Sequence, residues 1–238
     1  MKPELSIVAV VIDNLEVTER FISSIKQYTT NYELILIDNG SKDKKAIDFV
    51  KKSAEVYFRF NKRTDLAKAW NKGISLCRGK YIAVVNNDTV VPPKWFEPLK
   101  ETLDKNKKAG LVSPMTFMMI KGIYFKYKGL TNFDKTFSKP FKLVKFKDVV
   151  WGEFCVFKKE ALKKVGGYSE IYKEASGEDL DICFKLYSKG YDIYVDPRVF
   201  VYHQGEATKV FEGEKRSKLW TKNFNLFKSQ WKKYTRNW

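Results

Sequence analysis

Tyr81-Ile-Ala-Val-Val-Asn-Asn-Asp-Thr-Val-Val-Pro-Pro93 begins as a buried strand and ends as a polar site. Tyr81 to Val85 is a short apolar run with the length and β-branched content of a strand covered on both faces. It stops at Asn86-Asn87-Asp88, three polar side chains in a row. Pro92 and Pro93 suit the first turn of a following helix. A carboxylate at the carboxyl end of a buried strand stands where open α/β sheets bind ligands. Aspartate is also a hard oxygen ligand for Mg²⁺ or Mn²⁺. Taken alone, the same residues are equally served by an Asn/Asp turn with no further role, so the surrounding elements decide.

Outward from this strand, the chain alternates between two periodicities. Leu5–Ile12 is a continuous apolar run, as in a strand buried on both faces. Val17, Phe21, Ile22, Ile25 and Tyr28 then recur at helical spacing. Glu33–Ile37 is a second strand, followed by Asp38-Asn39-Gly40-Ser41, in which Ser41 is the expected N-cap of the next helix. Glu55–Phe60 reads as a third strand, and Leu66, Ala69, Trp70, Gly73, Ile74 and Cys77 mark one face of a helix. Trp95, Phe96, Leu99 and Leu103 line the helix after the fourth strand. Alternating β and α elements imply an α/β fold: a Rossmann-like, doubly wound, mostly parallel sheet with right-handed crossovers.

The alternation breaks after Pro114. Residues 117–147 interleave aromatic and basic side chains without a helical period. Val149–Phe157 reads as a strand, Lys159–Val165 as a short helix stopped by Gly166-Gly167, and Glu178–Ser188 as a helix. Tyr191–Val195 and Phe200–Tyr202 read as two short strands. A final helix starts near Glu214, with Trp220, Phe224, Phe227, Trp231 and Tyr234 at alternating four- and three-residue steps. No internal repeat or low-complexity linker interrupts the chain.

Composition narrows the class. The 238 residues, 44% hydrophobic and 16% aromatic, suffice for a real core and exclude a disordered chain. No apolar run reaches the ~18 residues of a spanning helix. The apolar stretch near the N-terminus is too short and wrongly flanked for a signal peptide. Cys77, Cys155 and Cys183 form no C-x-x-C pair, so neither a disulfide framework nor a zinc site is indicated, and a cytosolic compartment is expected. The net charge of +17 is concentrated. Residues 117–147 hold eight Lys against Asp134, and residues 207–238 hold nine Lys/Arg against Glu212 and Glu214. Each segment is therefore +7, leaving +3 elsewhere, and an anionic partner is expected at the two segments.

Four pieces stand in a telling order: Leu36-Ile-Asp-Asn-Gly-Ser-Lys-Asp43, Asn71-Lys-Gly-Ile74, Val85-Asn-Asn-Asp-Thr89 and Gly177-Glu-Asp-Leu-Asp181. In order and spacing the chain resembles an inverting glycosyltransferase of family 2 with the GT-A fold, from roughly Ser6 to Gly205. The resemblance implies a nucleotide-sugar donor, UDP first, with dTDP and GDP as alternatives, and Mn²⁺ or Mg²⁺ as cofactor. It implies donor contacts at Asp13, Asp38, Asn71, Asn86 and Asn87, metal ligation by Asp88 and His203, and a general base at Asp179, with Glu178 as its rival. Trp151, Glu153 and Asp181 would line the acceptor site, Asp181 being better suited to a structural role. Asn86 stands where relatives carry the first acid of a D-x-D-like motif, so Asp88 becomes the main carboxylate ligand. The implied organisation is a catalytic domain over residues 1–206, with a nucleotide-sugar half at 1–115 and an acceptor half at 116–206. A basic aromatic helical extension follows at 207–238.

The chemistry asks for a neutralised leaving diphosphate, an oriented donor and a base opposite the leaving group. The acceptor would be a glycan or lipid-linked glycan at the cytosolic face of a membrane. The C-terminal helix would lie on anionic lipid, pack on the core, or join a second subunit. Two rivals follow from the residues alone. Lys interleaved with aromatics suits single-stranded nucleic acid. A nucleotidyltransferase would share the sheet, although Asp13-Asn14-Leu15-Glu16 lacks that class's glycine-rich loop. Arg63, in the loop after the third strand, is expected to be a solvated cation rather than a donor contact.

Overall fold

The computed structural model describes residues 2–117, 138–174, 176–205 and 213–236. Its elements in chain order are β1 (Leu5–Val11), α1 (Leu15–Tyr28), β2 (Tyr32–Asp38), α2 (Lys44–Ser53), β3 (Val56–Arg59), α3 (Leu66–Leu76), β4 (Tyr81–Asn86), β5 (Thr89–Val90) and α4 (Phe96–Lys105). Then come β6 (Ala109–Met115), β7 (Phe141–Lys142), β8 (Phe154–Lys158), α5 (Lys159–Lys164), α6 (Glu178–Ser188), β9 (Asp192–Phe200), β10 (Tyr202–His203) and α7 (Gly213–Gln230).

Eight strands form one sheet in the order β3-β2-β1-β4-β8-β6-β9-β7, and β10 pairs with β5 in a separate ribbon. β1 is parallel to β2 and β4, β2 to β3, and β6 to β9. Only β8 and the edge strand β7 run against their neighbours. The sheet is thus mostly parallel, as the alternating pattern requires.

β1 shows why six of its seven residues are apolar. Val8 and Val10 face one layer with Ile35, Ile37, Ile82, Trp70 and Phe184. Leu5, Ile7, Ala9 and Val11 face the other with Phe21, Ile25, Leu99 and Leu103. Both faces are covered, and the one polar residue of the strand, Ser6, is buried with its hydroxyl donating to Glu33 Oε1 at 2.6 Å. α3 lies so close to β1 that a Cβ on Gly73 would sit 2.3 Å from Val8 Cγ1. The glycine of the Asn71-Lys-Gly-Ile74 piece is therefore a packing requirement.

Several local expectations shift. Pro92 and Pro93 precede a turn, not a first helical turn, because Thr89–Val90 pairs with β10 and α4 starts only at Phe96. Asp43, not Ser41, caps α2 by accepting from the Lys45 amide at 2.9 Å, while Ser41 Oγ accepts from the Asp13 amide. β8 begins at Phe154 instead of Val149, because Trp151-Gly152-Glu153 is drawn into the site. The two short strands expected near residues 191–202 are one strand, β9, followed by β10. Most of the basic stretch at 117–147 lies outside the described residues. Within its described end, Lys142 and Lys145 approach Asp192 at 3.8 and 3.0 Å.

α7 turns its aromatic stripe inward. Phe227 is fully buried and meets Phe184 edge-on at 4.9 Å between centroids. Trp231 packs on Phe184 at 5.6 Å, and Tyr234 stacks on Phe146 at 3.8 Å. Trp220 stays half exposed, stacked on Phe224. Three free cysteines are buried. Among the described residues no helix is long and apolar enough to cross a membrane.

Candidate active site

Because six of the eight strands point the same way, β1, β2 and β4 end on one edge, at Val11, Asp38 and Asn86. β8 runs the opposite way, and its first residue, Phe154, pairs with Val85. The Trp151-Gly152-Glu153 segment therefore enters the sheet on that same edge. The Asn86 amide donates to the Glu153 carbonyl at 2.9 Å and fastens the two together.

The β10–β5 ribbon delivers the histidine. His203 pairs with Thr89, and the Gln204 amide donates to the Asp88 carbonyl at 3.0 Å. His203 Nε2 then stands 3.0 Å from Asp88 Oδ1, and Nδ1 stands 3.4 Å from Glu153 Oε1. Asn86 Nδ2 is 3.4 Å from the same Nε2. Burial acts to lower the His203 pKa, but the Asp88 and Glu153 carboxylates outweigh it and raise it to about 9. At neutral pH the ring is thus an imidazolium between two largely buried acids.

Among the described residues, no three His, Cys, Asp or Glu side chains converge as a self-sufficient metal cage. A divalent ion carried by a diphosphate does not need one, since one or two carboxylates and the phosphates complete its shell. The donor set suits such an ion. Asp88 Oδ1 and Glu153 Oε2 are buried without a hydrogen bond of acceptable geometry. The residues at the end of β4 thus fit a metal held jointly with a ligand.

Asp38 and Asp13 shape the neighbouring turn. Asp38 is 1% exposed and accepts from the Ser41 amide (2.8 Å), Tyr57 Oη (3.1 Å) and Arg59 Nε (2.9 Å). Three donors from within the protein thus anchor Asp38 at the end of β2. Asp13 Oδ1 accepts the Lys42 and Asp43 amides at 2.7 and 2.8 Å. Both acids order residues 39–43 beside the edge. Asn39 joins them, exchanging hydrogen bonds with Thr64. Arg59 was not singled out in the sequence, although a cation ending β3 in register with Asp38 was a usable signal.

Glu178 and Asp179 open α6 behind Gly177, whose φ is +91°. Glu178 is buried, and its Oε2 accepts the Ser176 amide at 2.6 Å. Burial, then the Asp179 charge, push its carboxyl up to about 8. Asp179 is half-buried, and its Oδ1 accepts the Leu180 amide at 2.8 Å. Burial raises its pKa, opposed by hydrogen bonds from backbone amides that include Gly152. Asp179 is thus the more accessible of the two acids. A Cβ on Gly152 would lie 3.3 Å from Asp179 Cβ and 3.3 Å from the Trp70 ring, so glycine lets the 151–153 segment run hard against the acid. Trp151 keeps an exposed face beside it.

Three expected site residues are placed in structural work. Asn71 Nδ2 donates to the Tyr168 carbonyl and to Glu170, and its Oδ1 accepts the Tyr168 amide at 2.9 Å. Asn87 is buried and donates to Thr18 Oγ1 at 3.0 Å. Asp181 is fully buried and accepts from Ser169, from Tyr172 Oη and from Trp231 Nε1 (2.8 Å). Arg63 is held by Glu174 at 2.8 Å, as a loop cation rather than a donor contact.

The model of the family described as Glycosyl transferase family 2 matches residues 6–166. Glu178, Asp179 and His203 lie beyond that match. The poly-beta-1,6-N-acetyl-D-glucosamine synthase of Staphylococcus epidermidis is 27% identical over 180 residues, covering 70% of this chain and 41% of its own length. Among solved structures, GalNAc-T7 with UDP, GalNAc and Mn²⁺ superposes with a TM-score of 0.68 at 17% identity, covering 84% of this chain and 44% of that one. The mannosyltransferase PcManGT of Pyrobaculum calidifontis, in complex with GDP-Man and Mn²⁺, gives 0.64 at 16% identity, covering 85% and 57%. The chain spans under half the length of the curated relatives it matches, from 28% to 42%.

Proposed function

We propose that this chain, which belongs to glycosyl transferase family 2, moves a sugar from a nucleotide-sugar to a hydroxyl of a glycan or lipid-linked acceptor, with inversion. One observation carries the reading: the Trp151-Gly152-Glu153 segment links the acid cluster at the end of β4 to the acid pair opening α6. Glu153 approaches His203 at 3.4 Å, and Gly152 packs on Asp179. A leaving-group site and a base are thereby held on one short segment.

In this reading each residue has a role. Asp88 and His203 would hold a divalent cation on the donor diphosphate, and His203 gives up its proton to do so. When bound, Mn²⁺ or Mg²⁺ supplies Lewis-acid stabilisation of the departing diphosphate. Residues 39–43, ordered by Asp38 and Asp13, form the wall beside the donor. Asp179 takes the proton of the attacking hydroxyl. Its backbone donors keep the anion in place, and its burial keeps it basic. Trp151 offers a flat apolar face to an acceptor sugar.

The neighbours in complex with UDP and with GDP-Man support a nucleotide-sugar donor. UDP remains the expected nucleotide, with dTDP and GDP as alternatives. Membership of the family sets aside the nucleic-acid and nucleotidyltransferase readings. The exposed Lys218, Lys222, Lys232 and Lys233 of the C-terminal segment suit an anionic membrane surface at the cytosolic face. Because Phe227 and Trp231 are spent on the core, the contact would be mainly electrostatic.

The test is a thermal-shift and turnover panel with UDP-glucose, UDP-N-acetylglucosamine, UDP-N-acetylgalactosamine, a dTDP-sugar and GDP-mannose, each with and without Mn²⁺. One donor should raise the midpoint only with metal, and Asp88→Asn should abolish that metal-dependent part. Equal stabilisation by the same donor in excess chelator, for wild type and variant alike, removes the metal from the mechanism.

A further inference from the structure

The turn leading into Glu178 and Asp179 is held from two sides. On the α3 side, Asp65 accepts the Glu174 amide at 2.9 Å and the Lys173 ammonium at 3.0 Å, and the Leu66 amide donates to the Glu174 carbonyl at 2.8 Å. On the α7 side stands Asn223, only 1% exposed. Its Nδ2 donates to the Lys173 carbonyl (2.9 Å), the Ser176 carbonyl (3.0 Å) and Ser176 Oγ (3.0 Å), and its Oδ1 accepts the Lys173 amide at 3.4 Å. Ser176 in turn passes its own amide to Glu178 Oε2.

The turn that follows α7 also grips the pair from behind. Asp181, two residues past Asp179, accepts Trp231 Nε1 at 2.8 Å. A Cβ on Gly177 would meet the Tyr172 ring at 2.9 Å and Asn223 Cβ at 3.5 Å, so the turn is pressed against the helix. Asn223 is a polar residue at a buried position of an otherwise aromatic stripe. An apolar residue there would avoid the cost of desolvating an amide. The amide is accounted for by the backbone groups of Lys173 and Ser176, which it covers and satisfies.

We propose that α7 is a positioning element of the active site, in which Asn223 fixes the backbone of Lys173 and Ser176 and so sets where Asp179 stands. The inference rests on the reading of Asp179 as the base. Asn223 touches no reacting group. It acts through the turn, and misplacing a reacting carboxylate by about 1 Å can cost on the order of 10²-fold.

Two measurements on the full chain test it. In the first, amide exchange is followed in Asn223→Ala. Exchange at Glu174 and Ser176 should accelerate at least about tenfold, while the amides of Phe227 to Gln230 keep their wild-type rates. In the second, UDP or GDP release is measured from UDP-N-acetylglucosamine and GDP-mannose with Mn²⁺ and water as acceptor. The kcat of Asn223→Ala should fall roughly 10–100-fold with donor KM within about twofold, and the lesion should add little to Asp179→Asn, because both act at one group. Unchanged exchange at the turn, or a wild-type kcat, overturns the proposal, as does a loss that multiplies fully with that of Asp179→Asn. If Asn223→Ala does not fold, Ser176→Ala removes one contact from the loop side. It must show the same faster exchange, and wild-type exchange there refutes the idea. A wild-type rate for Asp179→Asn sinks the base assignment alone and leaves the exchange result to judge the turn.

Discussion

Replacing Phe227 with alanine asks whether α7 belongs to the core. Phe227 is fully buried, 4.9 Å from Phe184 and 6.3 Å from Phe224 between ring centroids. Truncating a buried phenylalanine costs about 3–5 kcal/mol, through lost transfer energy and the cavity left behind. About 0.5–1.5 kcal/mol of that belongs to the edge-on aromatic geometry. At this chain length each kcal/mol lowers the melting midpoint by about 2–4 °C. The expected drop is therefore about 6–20 °C, large against a total stability of about 5–15 kcal/mol. The assay is thermal unfolding followed by both far- and near-UV circular dichroism. The two signals should move together, as one cooperative transition. Tyr234→Ala, at a stack that is 37% exposed, should move it far less. If Phe227→Ala shifts the main transition by less than about 1 °C and only reduces helical signal, α7 is an appendage and the core described above ends at β10.

Asp179→Asn should lower sugar transfer by about 10²–10⁴-fold at unchanged donor affinity, the usual contribution of a general base, and a wild-type rate would show the base to be elsewhere. Asp181→Asn should instead lower the unfolding midpoint, because it unsettles the buried Trp231 and Tyr172 contacts. Glu178→Gln should alter the pH dependence of stability. The raised Glu178 pKa means its contribution is fully present below the unfolded value of about 4.3 and is lost as pH rises through about 8. Urea midpoints from pH 5 to 9 should therefore move in favour of the variant as pH increases, and a constant gap between variant and wild type refutes the buried ionisation. The triple change Lys222→Ala, Lys232→Ala and Lys233→Ala should weaken sedimentation with anionic vesicles roughly 100-fold, at about 1 kcal/mol per cation. Undiminished binding places the membrane contact outside the C-terminal segment.

Burial is legible in a sequence because it is written locally. The apolar run of β1, broken only by Ser6, the helical stripes of α1 and α4, and the limits of α6 at Glu178 and Ser188 all follow from which positions avoid water. The acids at strand ends and at the start of α6 were visible for the same reason: polar side chains that interrupt an apolar pattern at an element boundary. Partners are not written locally. Asn71 looked available for a ligand and Asp181 suited a structural role, but the partners of neither were readable: they are Tyr168 and Trp231, 97 and 50 positions away. Asp38 meets Arg59 through a strand register that no single segment contains. The inward turn of the α7 stripe was equally undecided, because an aromatic face serves a core, a second subunit or a lipid surface alike. The tertiary structure decided three things. It inserted β8 between β4 and β6, it brought the β10 ribbon to Asp88, and it laid α7 across the turn before Asp179. Each depends on closing long loops around a common core, a cooperative outcome of the chain and not a property of any segment in it.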